Sequence, residues 1–142
     1  IHGSCMFINK ENFNLIGKFD ENFFLYFEET EYCYRALKKG FNSYQINLVK
    51  VKTKGRSVEV QNDNQLLDNI LVWHFIWSKF YFSKKKYGNL ISIIIFTPLL
   101  LRICFKIVFY KILINEKIVN KYKFRLDGLL KSILGKSSDL RP

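Results

Sequence analysis

The sequence predicts an α/β segment over residues 1–60 followed by a basic, helical extension over residues 61–142. Three observations carry this. Two short runs have strand character: the apolar stretch Ser4 to Ile8 and the alternating stretch "FNSYQINLVKVKT" from Phe41 to Thr53. Between them, Glu28 to Lys39 reads as a helix, with acids in its first turn and Lys38 and Lys39 in its last. From Leu66 onward the apolar spacing is helical almost without interruption.

In chain order, "SCMFI" predicts a buried strand. Asn9 is a plausible N-cap and Gly17 a plausible stop for a short helix between them. The block "FFLYF", Phe23 to Phe27, leads straight into Glu28, Glu29 and Glu31. Gly40 falls just past the helix that follows, where a left-handed cap belongs. The composition shifts to polar between about Gly55 and Gln65. "LLDNILVWHFIWSKFYFSKKKYG" then predicts one long helix ending near Gly88, and "NLISIIIFTPLLLRICFKIVFYKILI" a second that Pro98 should kink. The stretch from Asn115 on is a basic amphipathic segment with a polar end.

At 142 residues, 49% hydrophobic and 17% aromatic, the chain can build a core, and its composition is that of a folded chain and not a disordered one. It begins at Ile1 with no signal peptide, and reads as the later part of a longer protein. Cys5, Cys33 and Cys104 are widely spaced and odd in number, which predicts reduced, buried thiols and no zinc site. The net charge of +11 is concentrated in the second half. Residues 1–80 hold 10 Lys/Arg against 9 Asp/Glu, whereas residues 81–142 hold 13 against 3. That half therefore calls for an anionic partner: a membrane face, phosphate or nucleic acid.

The acids at 28, 29 and 31 admit two explanations. Carboxylates in a first helical turn stabilise it by a few tenths to about 1 kcal/mol, so a helix start alone could account for them. A carboxylate beside a wall of aromatics is also desolvated, which raises its pKa toward the range of a general base.

These residues belong to a longer pattern. Gly3, Ser4 and Cys5 form a small-residue start. Ile16, Gly17, Phe19 and Asp20 form an apolar-Gly-x-Phe-Asp step. Phe24, Tyr26, Phe27, Glu28, Glu29 and Glu31 follow, then Arg35, Gly40 and Phe41. In this order they resemble the later half of the catalytic domain of family 2 glycosyltransferases, nearest to rhamnosyltransferase-like enzymes of bacterial surface polysaccharide synthesis. The resemblance covers residues 2–57 well and the helical remainder loosely. It implies the C-terminal half of a GT-A fold. The implied activity is transfer of a sugar, with inversion, from a nucleotide-diphosphate donor to a saccharide or lipid-linked acceptor. It further implies Glu29 as catalytic base and Glu28 as its positioning partner. Gly3, Ser4, Glu31, Arg35, Lys52, Arg56 and Lys79 are the implied substrate-binding set, with His74 a weaker candidate beside Lys79. A divalent ion, Mg or Mn, is implied for the intact enzyme, with ligands mostly upstream of Ile1. The implied location is peripheral, on the cytoplasmic face of the bacterial inner membrane.

The chain departs from that pattern in two places. Glu29, and in part Glu31, stand where the family has Asp. "KTKGRS" keeps Gly55 and Ser57 of a His-x-x-Gly-x-Ser motif but puts Lys52 at the His position. A charged lysine cannot ligate a metal, although it can neutralise diphosphate. No upstream Asp-x-Asp occurs in these residues, so the chain alone is expected not to turn over.

"LISIIIFTPLLL" runs about twelve residues without charge, where a span needs about 20. Arg102, Lys106 and Lys111 follow along one face. This predicts an interfacial helix on anionic lipid, with Lys84 to Lys86 assisting, rather than a span. Two rival readings remain at this stage: a non-catalytic basic module for membrane or nucleic acid, and an inactive transferase remnant. Exposed runs such as "ISIIIF" argue against a nucleic-acid face.

Overall fold

The structure is a computed structural model that describes residues 5–52 and 65–141. The described residues form five helices: α1 (Lys10–Ile16), α2 (Glu28–Lys38), α3 (Gln65–Tyr87), α4 (Asn89–Ile112) and α5 (Glu116–Ile133). They fall into two units. One comprises residues 1–21 and 28–62, the other residues 22–27 and 63–142.

In the first unit the caps expected from sequence close both helices. Asn9 Oδ1 accepts from the Glu11 and Asn12 amides at 2.8 and 3.1 Å. At the end of α2, Gly40 has φ +83° and its amide donates to Leu37 O, while Phe41 N donates to Ala36 O. This is a Schellman motif, and its hydrophobic contact is present, since Phe41 packs against the cluster of Ile16, Tyr32 and Ala36.

The α/β half-domain expected from sequence is not what forms. Among the described residues there is no strand. Met6 and Ile8 pack on the small cluster while Phe7 points outward, 92% exposed, so the run 5–8 alternates as an extended chain does. Residues 42–52 are exposed throughout, Leu48 at 95%. The physical reason is pairing. Alternation specifies which face of a strand is apolar, but a strand exists only when its amides and carbonyls meet a neighbour. None of the described residues supplies one.

The second unit is built on α3, which packs along α5, with α4 laid against both. Ile76, Phe80, Phe96, Ile103 and Leu129 form its buried core. α3 and α5 cross very closely at Gly128, where even a methyl group would lie 2.7 Å from the Trp73 carbonyl oxygen. Polar clasps bind the same pair. Trp73 Nε1 donates to Asp127 Oδ2 at 2.7 Å, Ser132 Oγ to Trp77 O at 2.9 Å, and Trp77 Nε1 to Lys136 O at 3.1 Å. α3 ends where the sequence predicts, with Gly88 at φ +85°. Pro98 removes one backbone donor, yet α4 runs through it as one helix.

The six-residue aromatic segment 22–27 belongs to this unit. Phe23 meets Tyr81, Tyr26 meets Phe75, and Phe27 meets both Phe75 and Phe82. Leu25 O accepts from Ser78 Oγ at 2.7 Å. The chain end closes over it, with Ser138 Oγ donating to Asn22 O and the Arg141 guanidinium lying 3.8 Å from the Phe24 ring centre. The three cysteines are free thiols, but Cys5 and Cys104 are exposed and Cys33 half-buried, not buried as expected. Neither exposed thiol sits inside a packed cluster that would exclude water.

Candidate active site

Tyr26 and Phe27 occupy the left-handed region, at φ +66° and +69°. Two successive non-glycine residues there cost about 1–2 kcal/mol each and persist only where packing holds them. Here the rings of Tyr26 and Phe27, seated on Phe75, do so. The strained pair immediately precedes Glu28, the first residue of α2.

Glu28 and Glu29 open α2, and each keeps one buried carboxylate oxygen, Oε2, with no hydrogen-bond partner. The phenol oxygen of Tyr32, one turn further on, is buried and unpartnered too. Buried polar atoms are nearly always paired. Four side-chain atoms break that rule among the described residues, and three of them lie within residues 28–32. Tyr32 did not stand out in the sequence; its spacing of i+4 from Glu28 and i+3 from Glu29 was the available signal. Its ring is fixed by stacking on Phe19 at 4.6 Å and Phe13 at 6.0 Å.

Burial pushes the Glu28 carboxyl above the usual carboxylate range. A backbone hydrogen bond at Glu28 opposes the shift and the neighbouring Glu29 adds to it. The folded protein therefore holds this proton to higher pH than the unfolded chain does. The associated stability is complete at low pH and is lost as pH rises through the folded pKa. Glu28→Gln imitates the protonated form. It should raise the melting temperature at mildly alkaline pH, with the gap closing as pH falls into the usual carboxylate range. Thermal unfolding across a pH series checks this, and a gap independent of pH would contradict it.

Glu31 and Arg35 are engaged with the protein itself. Arg35 Nε lies 2.9 Å from both carboxylate oxygens of the fully buried Glu31. Its Nη1 and Nη2 donate to Ile16 O at 3.0 Å and Lys18 O at 2.7 Å. The pair thus ties α2 to the turn after α1. Arg35→Met should cost roughly 3–5 kcal/mol, because it leaves a buried charge uncompensated. Arg35→Lys should not restore this, since an ammonium cannot reproduce the fork. Denaturant unfolding measures both, and unchanged stability would mean the pair is dispensable to the fold.

The other expected site residues lie on other segments of the chain. Lys52 lies on the exposed extended stretch, and Lys79 is exposed on α3. Gly3, Ser4 and Arg56, with Lys54, Gly55 and Ser57, lie outside the described residues. His74 is fully buried, with its Nε2 2.7 Å from Leu140 O and its ring against Trp73 and Phe24. Burial lowers its pKa, so the neutral ring donates through Nε2 and keeps Nδ1 as a buried, unpartnered acceptor. Among the described residues no three His, Cys, Asp or Glu side chains converge; the Mg or Mn ligands that the resemblance implies fall mostly upstream of Ile1.

With this geometry in view, the chain is similar to the low-salt glycan biosynthesis hexosyltransferase Agl10 of Haloferax volcanii, at 48% identity over 48 residues. The match takes in 34% of this chain and 16% of the relative's length. Part of the chain is thus related to a glycosyltransferase. No family model and no solved structure matches.

Proposed function

We propose that this chain carries the acceptor-activating part of a membrane-associated glycosyltransferase acting in cell-surface glycan synthesis. The 48-residue match to a hexosyltransferase supports the reaction class. In this reading Glu29 removes the proton from an acceptor hydroxyl. The freed oxygen attacks the anomeric carbon from the face opposite the nucleotide diphosphate, which leaves as the new glycosidic bond forms, so the configuration inverts. Glu28, kept protonated to higher pH, orients Glu29 or the acceptor. The unpartnered oxygens of Glu28, Glu29 and Tyr32 support placing the acceptor there, because the several hydroxyls of a saccharide would supply partners for them. Donor sugar transfer by the full-length protein, with and without Glu29→Gln, is the test.

α4 is long and apolar enough to cross a membrane by length and composition. An interfacial placement accounts better for its surroundings. One side of α4 carries α5, which is studded with Lys117, Lys121, Lys123 and Arg125. Arg102 and Lys106 fall within the body of α4. A charge at the bilayer centre costs about 2.5–3.5 kcal/mol even on the more lenient scale, whereas at the headgroup level it is attracted to anionic lipid. Ile94, Leu101 and Phe105, 71%, 65% and 68% exposed, are the apolar side chains that would enter the lipid.

A further inference from the structure

We propose that the cleft between α4 and α5 is a site for one phosphate group, supplied by an anionic lipid headgroup. Leu99, Arg102, Ile103, Lys106, Tyr122 and Arg125 line a cavity of about 170 Å³ there, several times the room that one water needs. Arg102 and Lys106 stand one turn apart on α4, and Arg125 completes the set from α5. No carboxylate lines the cavity. α4 has no acidic residue at all. The acids of α5 are Glu116, in its first turn, and Asp127, which accepts from Trp73 and pairs with Lys131 at 3.3 Å.

Tyr122 organises the cations without neutralising them. Lys106 Nζ donates to its hydroxyl at 2.8 Å. Lys106 and Arg125 also lie 5.1 and 5.4 Å from its ring centre, within cation–π range. The ring is backed by Tyr110 in a nearly parallel stack, 9° apart. The Tyr122 hydroxyl accepts from Lys106 and can still donate its proton to an oxygen in the cavity. Three like charges around one cleft repel each other until an anion joins them. Two guanidinium forks and an ammonium match the oxygens of a phosphate. Free phosphate offers the same chemistry. The lipid source is favoured because Leu101 and Phe105, exposed beside Arg102 and Lys106, would hold the cleft at the headgroup level.

The site goes beyond sugar transfer and is tested with no sugar nucleotide present. Full-length protein is floated with phosphatidylcholine vesicles, with and without phosphatidic acid. Arg102→Gln/Arg125→Gln is compared with Lys121→Gln/Lys123→Gln, which removes the same charge from the exposed surface of α5. The cleft variant should lose about tenfold more phosphatidic-acid-dependent binding than the surface variant, as expected from losing charge-assisted hydrogen bonds as well as charge. Equal losses would mean diffuse attraction and would overturn the proposal. Arg102 is exposed, so Arg102→Gln alone, compared with Lys121→Gln alone, serves if the double variant is poorly folded, and no extra loss from it would equally overturn the site. Inorganic phosphate added without vesicles separates the sources. It should leave the melting temperature unchanged. An Arg102-dependent rise together with unaltered vesicle binding would assign the cleft to free phosphate and refute the headgroup.

Discussion

Glu29→Gln in the full-length protein should lower sugar transfer by roughly 10²–10⁴-fold, the range a positioned general base contributes. The loss should fall on kcat more than on KM, because the carboxylate acts when the acceptor proton moves and not when the donor binds. Glu29→Asp should recover part of the rate. It keeps the base one methylene further back, which α2 can compensate only by shifting. The glutamine variant should fold as the wild type does, since Glu29 Oε2 has no protein partner to lose. Transfer at the wild-type rate by Glu29→Gln would end the assignment and return the acids to the role of a helix start. Steady-state kinetics with thermal unfolding on the same preparations decides between these outcomes.

The second large effect concerns α4. Ile94→Asp/Leu101→Asp/Phe105→Asp should abolish partition into anionic vesicles. Each apolar side chain withheld from lipid forfeits up to about 1.5–3 kcal/mol, so a fall of at least about 40-fold follows even if each is only half immersed. The three residues are more than half exposed in the free protein. Folding stability should therefore move by no more than about 0.5 kcal/mol per substitution. Undiminished flotation of the triple variant would show that α4 does not hold the protein at the membrane.

How far the residues revealed this arrangement depends on how local each interaction is. Asn9, Gly17, Gly40 and Gly88 fall where caps and stops belong, so the helix ends were readable from one or two neighbouring residues. The acids at 28 and 29 stood out because they follow five apolar residues. What could not be read was whatever needs a distant partner. "FNSYQINLVKVKT" has the alternation of a strand, but among the described residues nothing pairs with it. The left-handed pair Tyr26–Phe27 depends on Phe75, about fifty positions away. The resemblance implies a substrate contact for Arg35, and the sequence does not show that its donors reach Glu31, Ile16 and Lys18. The cationic cleft was half visible, since Arg102 and Lys106 are one turn apart in the sequence. Arg125 and Tyr122 join them only because α5 folds back on α4.

The closure of the chain end over segment 22–27 bears on how the protein is made. Ser138 reaches Asn22, and Arg141 reaches Phe24. On the ribosome, chains grow at about 5–20 residues per second. The aromatic segment therefore waits on the order of ten seconds before its last cover is synthesised. Phe23 and Phe27 gain Tyr81, Phe75 and Phe82 once α3 has been made, whereas Asn22 and Phe24 wait for Ser138 and Arg141. The helical unit therefore cannot close until residues 138–141 have been made, however early its aromatic segment emerges.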